Sequence, residues 1–204
     1  MSGAPRLVAL ATAVPPHEAP QAAVREAAVQ HFTDAVGADP RLLQVFDHAQ
    51  IERRHFCVPL EWFATPHDFA AKNELYVREA VRLGAEAAQR ALERAGLGPE
   101  DVDHVVFVSS TGLSTPSIDA LLANRLGFRP DVHRTPIWGL GCAGGAAGLA
   151  RARDFALADP SARVLLIALE LCSLTFQAGD LIAITLMPSM PRLAAAPLME
   201  CEAL

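Results

Sequence analysis

Cys142 has the sequence surroundings of a reactive side chain. It lies in the segment IWGLGCAGGAAG at residues 137–148, where an apolar run leads into glycines, then the thiol, then small residues. Such a segment predicts a sharp strand-to-helix turn that exposes one side chain beside a helix N-terminus. The positive end of a helix stabilises a thiolate, which is the nucleophilic form of cysteine. Cys142 is therefore the candidate nucleophile of this chain.

A second interpretation of the same segment is a dinucleotide-binding turn. Residues 139–144, GLGCAG, match G-x-G-x-x-G, and Glu170 ends the next predicted strand, where that motif expects an acidic residue. The preceding residues 131–136, DVHRTP, are too polar for the central first strand of such a fold, and Pro136 would interrupt its ladder. This contrast favours the nucleophile turn.

Composition excludes several classes of protein. Hydrophobic residues make up 51% of the 204 residues and charged residues 20%, which predicts a folded chain of one ordinary domain or two small ones. A net charge of −6 without a lysine-rich run argues against a nucleic-acid partner. No segment is long and apolar enough to predict a membrane span.

The cysteines and the N-terminus bear on the cellular compartment. The four cysteines are widely spaced without a CxxC pair, so we expect neither a metal site nor a disulfide framework. A reducing cytoplasm fits this pattern. Residues 6–13 also resemble the start of a signal peptide, but Pro15 and Pro16 follow so soon that a first strand and a turn explain them equally well.

The hydrophobic pattern alternates between strands and helices. We predict strands over residues 6–14, 104–109, 132–138 and 164–170, and helices over residues 73–95, 117–127 and 143–157. Residues 20–48 contain helical patches, and residues 51–57 a short extended segment. This alternation predicts a layered α/β domain with a mainly parallel central sheet. Residues 182–204 contain three prolines without a clear period, so we expect a divergent, loosely structured tail.

Several segments together resemble a known family, the type III polyketide synthases of the chalcone and stilbene synthase group, here of a bacterial type. They are AVPPH at 13–17, IERRHF at 51–56, SSTG at 109–112, LGFRP at 126–130, GCAGG at 141–145 and LELCSLTFQ at 169–177. The resemblance runs in register over residues 6–181. We therefore assign residues 1–181 as a chalcone/stilbene synthase N-terminal domain.

The resemblance implies a fold, an activity and partners. The fold would be the thiolase-like layered αβαβα arrangement, of which this chain carries the N-terminal half, and family members form homodimers. The activity would load an acyl group from acyl-CoA onto a cysteine and condense it with malonyl-CoA units. Coenzyme A thioesters would be the substrates, with no cofactor and no metal.

The resemblance also implies roles for individual residues. Cys142 would carry the acyl group, and Ser110 and Thr111 would line the cavity that receives it. Thr115 falls where relatives place a residue that crosses the dimer interface. Arg53 and Arg54 would neutralise the phosphates of coenzyme A, although a solvated surface pair explains those two arginines equally well.

The chain departs from the family in its catalytic partners. The family uses a Cys-His-Asn triad whose histidine and asparagine follow the cysteine, whereas all seven histidines and both asparagines here, Asn73 and Asn124, precede Cys142. The match ends after Leu181. We therefore expect a truncated or frameshifted homologue, capable of slow thiol acylation at best and of no polyketide synthesis.

Two alternative functions remain open on the sequence. One is an enzyme similar to β-ketoacyl carrier-protein synthase III, which would load from acyl carrier protein. The other is a non-catalytic fragment that binds coenzyme A esters or pairs with a full-length synthase, and co-purification with such a synthase would distinguish it.

Overall fold

A computed structural model describes residues 4–177 and 194–201 of the chain. In chain order the strands are β1 (Pro5–Ala13), β2 (His17–Pro20), β3 (Arg53–Phe56), β4 (His104–Val108), β5 (His133–Ile137), β6 (Val164–Ala168) and β7 (Ala194–Cys201). The helices are α1 (Gln21–His31), α2 (Thr33–Ala38), α3 (Gln44–His48), α4 (Phe69–Ala95), α5 (Ile118–Leu126) and α6 (Gly144–Ala158).

These elements form two compact units. The sheet unit comprises the described residues up to Ala13, Val77–Glu170 and residues 194–201. The helical unit comprises Val14–Tyr76 and residues 171–177. The sheet unit contains Cys142.

The sheet unit is built on a five-stranded sheet in the order β1-β7-β6-β4-β5. Strand β4 pairs in parallel with β5 and with β6, while β7 is antiparallel to both β6 and β1. The central strands β4 and β6 are almost continuously apolar and buried, as strands covered on both faces must be. The predicted α/β arrangement with parallel central strands is confirmed.

The polar strand β5 lies at the edge of the sheet. Its sequence HRTPI includes Pro136, which has no N–H to contribute to a ladder, and proline is tolerated in edge strands for this reason. The edge position explains why the segment before Cys142 is so much more polar than β4 and β6.

Helix α6 lies against β4 and β6 through a stripe of small residues. Gly144, Gly148, Ala152 and Ala156 recur every four residues and are all buried. A Cβ built on Gly144 would lie 2.6 Å from Val108 Cγ1, so the approach requires glycine. The small residues of α6 account for its close packing on the sheet. The helix predicted over residues 143–157 is present, and its bounds differ by one residue at each end.

The helical unit contains the antiparallel pair β2 and β3, helices α1 to α3 and its own apolar core. The core is formed mainly by the buried residues Val24, Ala28, Phe32, Phe46 and Phe56. Phe176 adds edge-to-face contacts with Phe32 and Phe63, at centroid distances of 5.5 and 5.9 Å. The helical patches expected over residues 20–48 are thus three short helices around one core.

Part of the C-terminal segment, where we expected a loose tail, lies within the described residues. Residues 182–193 and 202–204 lie outside the described residues, but residues 194–201 form β7 between β1 and β6. Its sequence AAAPLMEC lacks a clear alternation, so its strand character comes from partners on both sides. Pairing with β6 involves Leu198 and Ala195, on either side of Pro197, which has no N–H to donate.

Candidate active site

The carboxyl ends of the three parallel strands β4, β5 and β6 lie side by side. They form one edge of the sheet, which runs across the strand ends and is distinct from the outer strand β5. Val108 at the end of β4 is in register with Ile137 of β5 and with Ala168 of β6. The loops that follow these strands therefore lie side by side, and this edge is where open α/β sheets bind their ligands. The three loops contain residues 109–112, 138–143 and 169–170.

Cys142 occupies a sharp turn between β5 and α6. Gly139 and Gly141 have φ angles of +83° and +53°, in the left-handed region that favours glycine. Cys142 is exposed in a single 3₁₀ turn, Gly141–Ala143, directly before α6. Since the first N–H groups of a helix have no partners within it, the thiol lies close to a positive helix end. The predicted strand-to-helix turn is present.

The loop after β4 is tied to the cysteine turn on one side. The Ser109 N–H donates to the Ile137 carbonyl at 3.2 Å, and the Trp138 indole Nε1 donates to the Gly112 carbonyl at 3.2 Å. The Gly141 N–H donates to Ser110 Oγ at 3.1 Å. Ser110 is therefore in direct contact with the residue that precedes Cys142.

The same loop is tied on its other side to Glu170, directly after β6. The Ser110 N–H donates to Glu170 Oε1 at 2.7 Å, and the Thr111 hydroxyl donates to Glu170 Oε2. Burial raises the pKa of the Glu170 carboxyl above its ordinary value, although the hydrogen bonds from Thr111 and Ser110 act in the opposite direction. The sequence connected Glu170 with the dinucleotide interpretation and with the family segment at 169–177, but it did not predict this contact. Its position at the end of a buried strand was the available signal.

Of the predicted site residues, the structure brings Ser110, Thr111 and Cys142 to the same edge of the sheet unit. Arg53 and Arg54 lie on β3 in the helical unit. The Arg53 side chain is 68% exposed and its Nη1 donates to Glu18 Oε1 at 2.9 Å.

Arg54 is only 4% exposed, and its Nε donates to Gln21 Oε1 at 2.7 Å. Burial lowers the pKa of its guanidinium. This placement fits a structural role within the helical unit better than a contact with phosphate in solution.

No histidine of the described sheet unit lies at the edge that carries Cys142. His104 and His133 begin β4 and β5 and stack on each other with ring centroids 4.7 Å apart. The five-residue length of each strand puts these histidines about 13 Å from the carboxyl ends of the strands, where Cys142 lies. The other five histidines belong to the helical unit. Among residues 4–177 and 194–201, no group of three His, Cys, Asp or Glu side chains is arranged to hold a metal ion.

Comparisons with known proteins agree with this architecture. Residues 1–181 match the family model of the chalcone and stilbene synthases, N-terminal domain. A putative chalcone synthase of Bacillus subtilis is 44% identical over 179 residues, which cover 85% of this chain and 49% of the relative. The 1,3,6,8-tetrahydroxynaphthalene synthase of Streptomyces peucetius is 41% identical over 172 residues, 84% of this chain and 45% of the relative.

Solved structures give the same result. The crystal structure of 1,3,6,8-tetrahydroxynaphthalene synthase from Streptomyces coelicolor, a bacterial type III polyketide synthase, matches with a TM-score of 0.86 at 34% identity. That match covers 95% of this chain and 56% of the Streptomyces chain. None of the helices among the described residues is long and apolar enough to cross a bilayer.

The chain spans about half the length of the curated relatives it matches. Over that half, family, sequence and structure agree. The chain belongs to the chalcone and stilbene synthase family, carries its N-terminal domain and has the thiolase-like α/β fold of the type III polyketide synthases.

Proposed function

We propose that this chain is an acyltransferase of the type III polyketide synthase family, and that Cys142 accepts an acyl group from a coenzyme A thioester. The exposed thiol on a glycine turn directly before α6 carries this proposal, together with family membership. The Cys142 thiolate attacks the thioester carbonyl and forms a new carbon–sulfur bond. The bond to coenzyme A breaks, and coenzyme A leaves as a thiolate that takes up a proton.

The complete reaction proposed for the family continues on this thioester. Malonyl-CoA loses carbon dioxide, and the resulting carbanion attacks the acyl carbonyl on Cys142. The bond to Sγ breaks, Cys142 is released as a thiolate, and the chain grows as a β-ketoacyl-CoA. Each condensation needs hydrogen-bond donors for the developing oxyanion, and loss of one such donor typically costs about 10²–10³ in rate.

The features of the described sheet unit suit acyl loading better than condensation. No histidine of the described sheet unit lies at the edge that holds Cys142, and a helix end contributes about 0.3–1 kcal/mol to a thiolate in exposed settings. We therefore propose that the 204-residue chain alone loads acyl groups slowly and does not condense them.

We also propose substrate contacts for the other candidate residues. Ser110 and Thr111, which are next to the cysteine turn, would line the cavity for the acyl group. Arg53 is the exposed cation of the pair on β3, so it is the one we propose for a coenzyme A phosphate, through charge-assisted hydrogen bonds.

We further propose a cytoplasmic homodimer with no cofactor other than its coenzyme A substrates. Cys57, Cys142 and Cys172 are free thiols, which supports a reducing compartment. The dimer rests on family membership, and Thr115, exposed in this chain, is the residue proposed at its interface. Light scattering on the purified chain would test the dimer.

The loading step can be tested by intact mass spectrometry. We expect incubation with acetyl-, hexanoyl- or benzoyl-CoA to add one acyl mass, mapped to Cys142 by peptide analysis. Cys142→Ala should abolish the addition, whereas Cys172→Ala is the matched control and should retain it. Loading from acyl carrier protein but not from coenzyme A would favour the carrier-protein synthase alternative. No loading from either donor would refute the proposal.

A further inference from the structure

Glu170 connects the ends of two strands through both of its carboxylate oxygens. Oε1 accepts from the Ser110 N–H at 2.7 Å, and Oε2 accepts from the Thr111 hydroxyl. Both bonds reach the loop after β4, whereas Glu170 itself follows β6. Glu170 therefore ties the loop after β4 to the residue that follows β6.

Ser110 extends this restraint to the cysteine turn. Its Oγ accepts a hydrogen bond from the Gly141 N–H at 3.1 Å, and Gly141 is covalently bonded to Cys142. A turn with two glycines in the left-handed region loses much conformational freedom on folding and needs external contacts to stay ordered. The bond from the Ala143 N–H to the Leu140 carbonyl, at 3.2 Å, closes the turn internally but does not connect it to β4 or β6.

We propose that Glu170 is a positioning residue for Cys142, acting through Ser110 and the Gly141 amide. The inference rests on the proposed role of Cys142 as the nucleophile. Glu170 acts indirectly. Its carboxylate holds the loop after β4, and the Ser110 hydroxyl of that loop accepts from the Gly141 N–H, so that the thiol stays at the first turn of α6. A thiol that drifts from this position loses the stabilisation that a helix end gives to its thiolate.

Alkylation of the thiol by iodoacetamide tests this chain of contacts without any coenzyme A. Rates are measured for each cysteine by peptide mass spectrometry, over a range of pH, in the full 204-residue chain. In Glu170→Ala we expect Cys142 to react about two- to fivefold more slowly at neutral pH, the factor that corresponds to a lost helix-end interaction. The pH profile of the rate should differ from the wild-type profile, and Ser110→Ala should reproduce both changes.

Two further observations keep the test decisive. Glu170→Gln keeps an oxygen for the Ser110 N–H and an amide group for Thr111, so it should restore the wild-type rate and profile. Cys57 is buried in the helical unit and reports on unfolding, since its labelling should stay slow in every folded variant.

The opposite results would overturn the proposal. A wild-type pH profile in a folded Glu170→Ala or Ser110→Ala chain would show that the contacts do not position the thiol. If Glu170→Ala unfolds and exposes Cys57, the profile of Ser110→Ala decides. A Glu170→Gln chain as slow as Glu170→Ala would contradict the proposal, because the amide oxygen still accepts from the Ser110 N–H. Alkylation needs no acyl donor. If the variants show these effects but the wild-type chain fails to load from acyl-CoA, only the proposed function is refuted.

Discussion

Gly148 and Leu166 are packed so closely that a side chain at position 148 has no room. A Cβ built on Gly148 would lie 2.7 Å from Leu166 Cδ1 and 2.7 Å from Val108 Cγ2. Both neighbours are buried on the central strands, and Val108 is β-branched and stiff at χ1. The start of α6, and with it the cysteine turn, is set against the sheet by this contact.

We expect Gly148→Ala to lower the free energy of unfolding. Overpacking of a core contact typically costs about 1–3 kcal/mol, which outweighs the gain of about 1 kcal/mol from replacing glycine by alanine in a helix. Urea denaturation followed by circular dichroism measures the change. Gly145→Ala is the matched control on the same helix, because Gly145 is exposed and a Cβ there meets no atom within 4 Å. Gly145→Ala should be neutral or stabilising, and equal effects of the two substitutions would contradict the close packing.

The stacked histidines at the amino ends of β4 and β5 predict a loss of stability in mild acid. Burial lowers the pKa of His104 below its ordinary value of 6.5, and the nearby His133 adds to this, although Asp103 and Asp159 act in the opposite direction. Its Nδ1 is buried without a hydrogen-bond partner among the described residues. The unfolded chain therefore binds the proton more readily, so the free energy of unfolding falls as the pH drops below about 6.5.

His104→Phe provides the control for this pH dependence. The ring of His104 also stacks on Phe155, with centroids 4.7 Å apart, and phenylalanine keeps an aromatic ring there without a titrating group. Denaturation midpoints across this pH range should fall less steeply in His104→Phe than in the wild-type chain. Equal slopes would show that His104 does not contribute.

Two arginines of α4 cover the edge strand β1. Arg90 Nη1 donates to the Thr12 carbonyl at 2.8 Å, and Arg94 Nη1 donates to the Leu10 carbonyl. Free carbonyl groups on an edge strand can pair with another chain. We expect the Arg90→Ala/Arg94→Ala double variant to be less stable by about 1 kcal/mol and to self-associate more, as measured by light scattering.

The control for the edge strand changes the same type of charge elsewhere. Arg151 is exposed on α6 and forms an ion pair with Asp154 at 3.2 Å. Arg151→Ala removes a positive charge without uncovering a strand, so light scattering should remain at the wild-type level. Self-association that rises equally in Arg151→Ala and in the edge variant would point to net charge instead.

We expect the 204-residue chain to release no cyclised product from malonyl-CoA. The described sheet unit has no histidine at the edge that carries Cys142, and each missing hydrogen-bond donor to the carbanion or oxyanion typically costs about 10²–10³ in rate. Liquid chromatography with mass detection of reactions containing acyl-CoA and malonyl-CoA provides the measurement. A cyclised polyketide that forms with the wild-type chain and disappears in Cys142→Ala would prove this expectation wrong.

Local sequence determined much of the sheet unit. The apolar runs of β4 and β6 lack enough polar residues for any exposed element, and they form the buried centre of the sheet. The glycines around Cys142 supplied the left-handed backbone of a tight turn, and small residues at every fourth position marked the buried face of α6. These features depend on a few adjacent residues, so their patterns are visible without a fold.

Contacts between distant segments were decided only by the tertiary structure. Strand β7 has a sequence without alternation and owes its conformation to pairing with β1 and β6, which are far from it in the chain. The sequence does not distinguish Arg54 from its exposed neighbour Arg53. Only the fold brings Gln21, 33 residues away, into hydrogen-bond contact with Arg54. Glu170 and Ser110 are separated by 60 residues, and their hydrogen bond exists because parallel strands bring their carboxyl ends to one edge. The sequence by itself determined that Cys142 lies on a tight glycine turn before a helix. The tertiary structure decided which side chains contact that turn, because those contacts depend on strand order rather than on any local pattern.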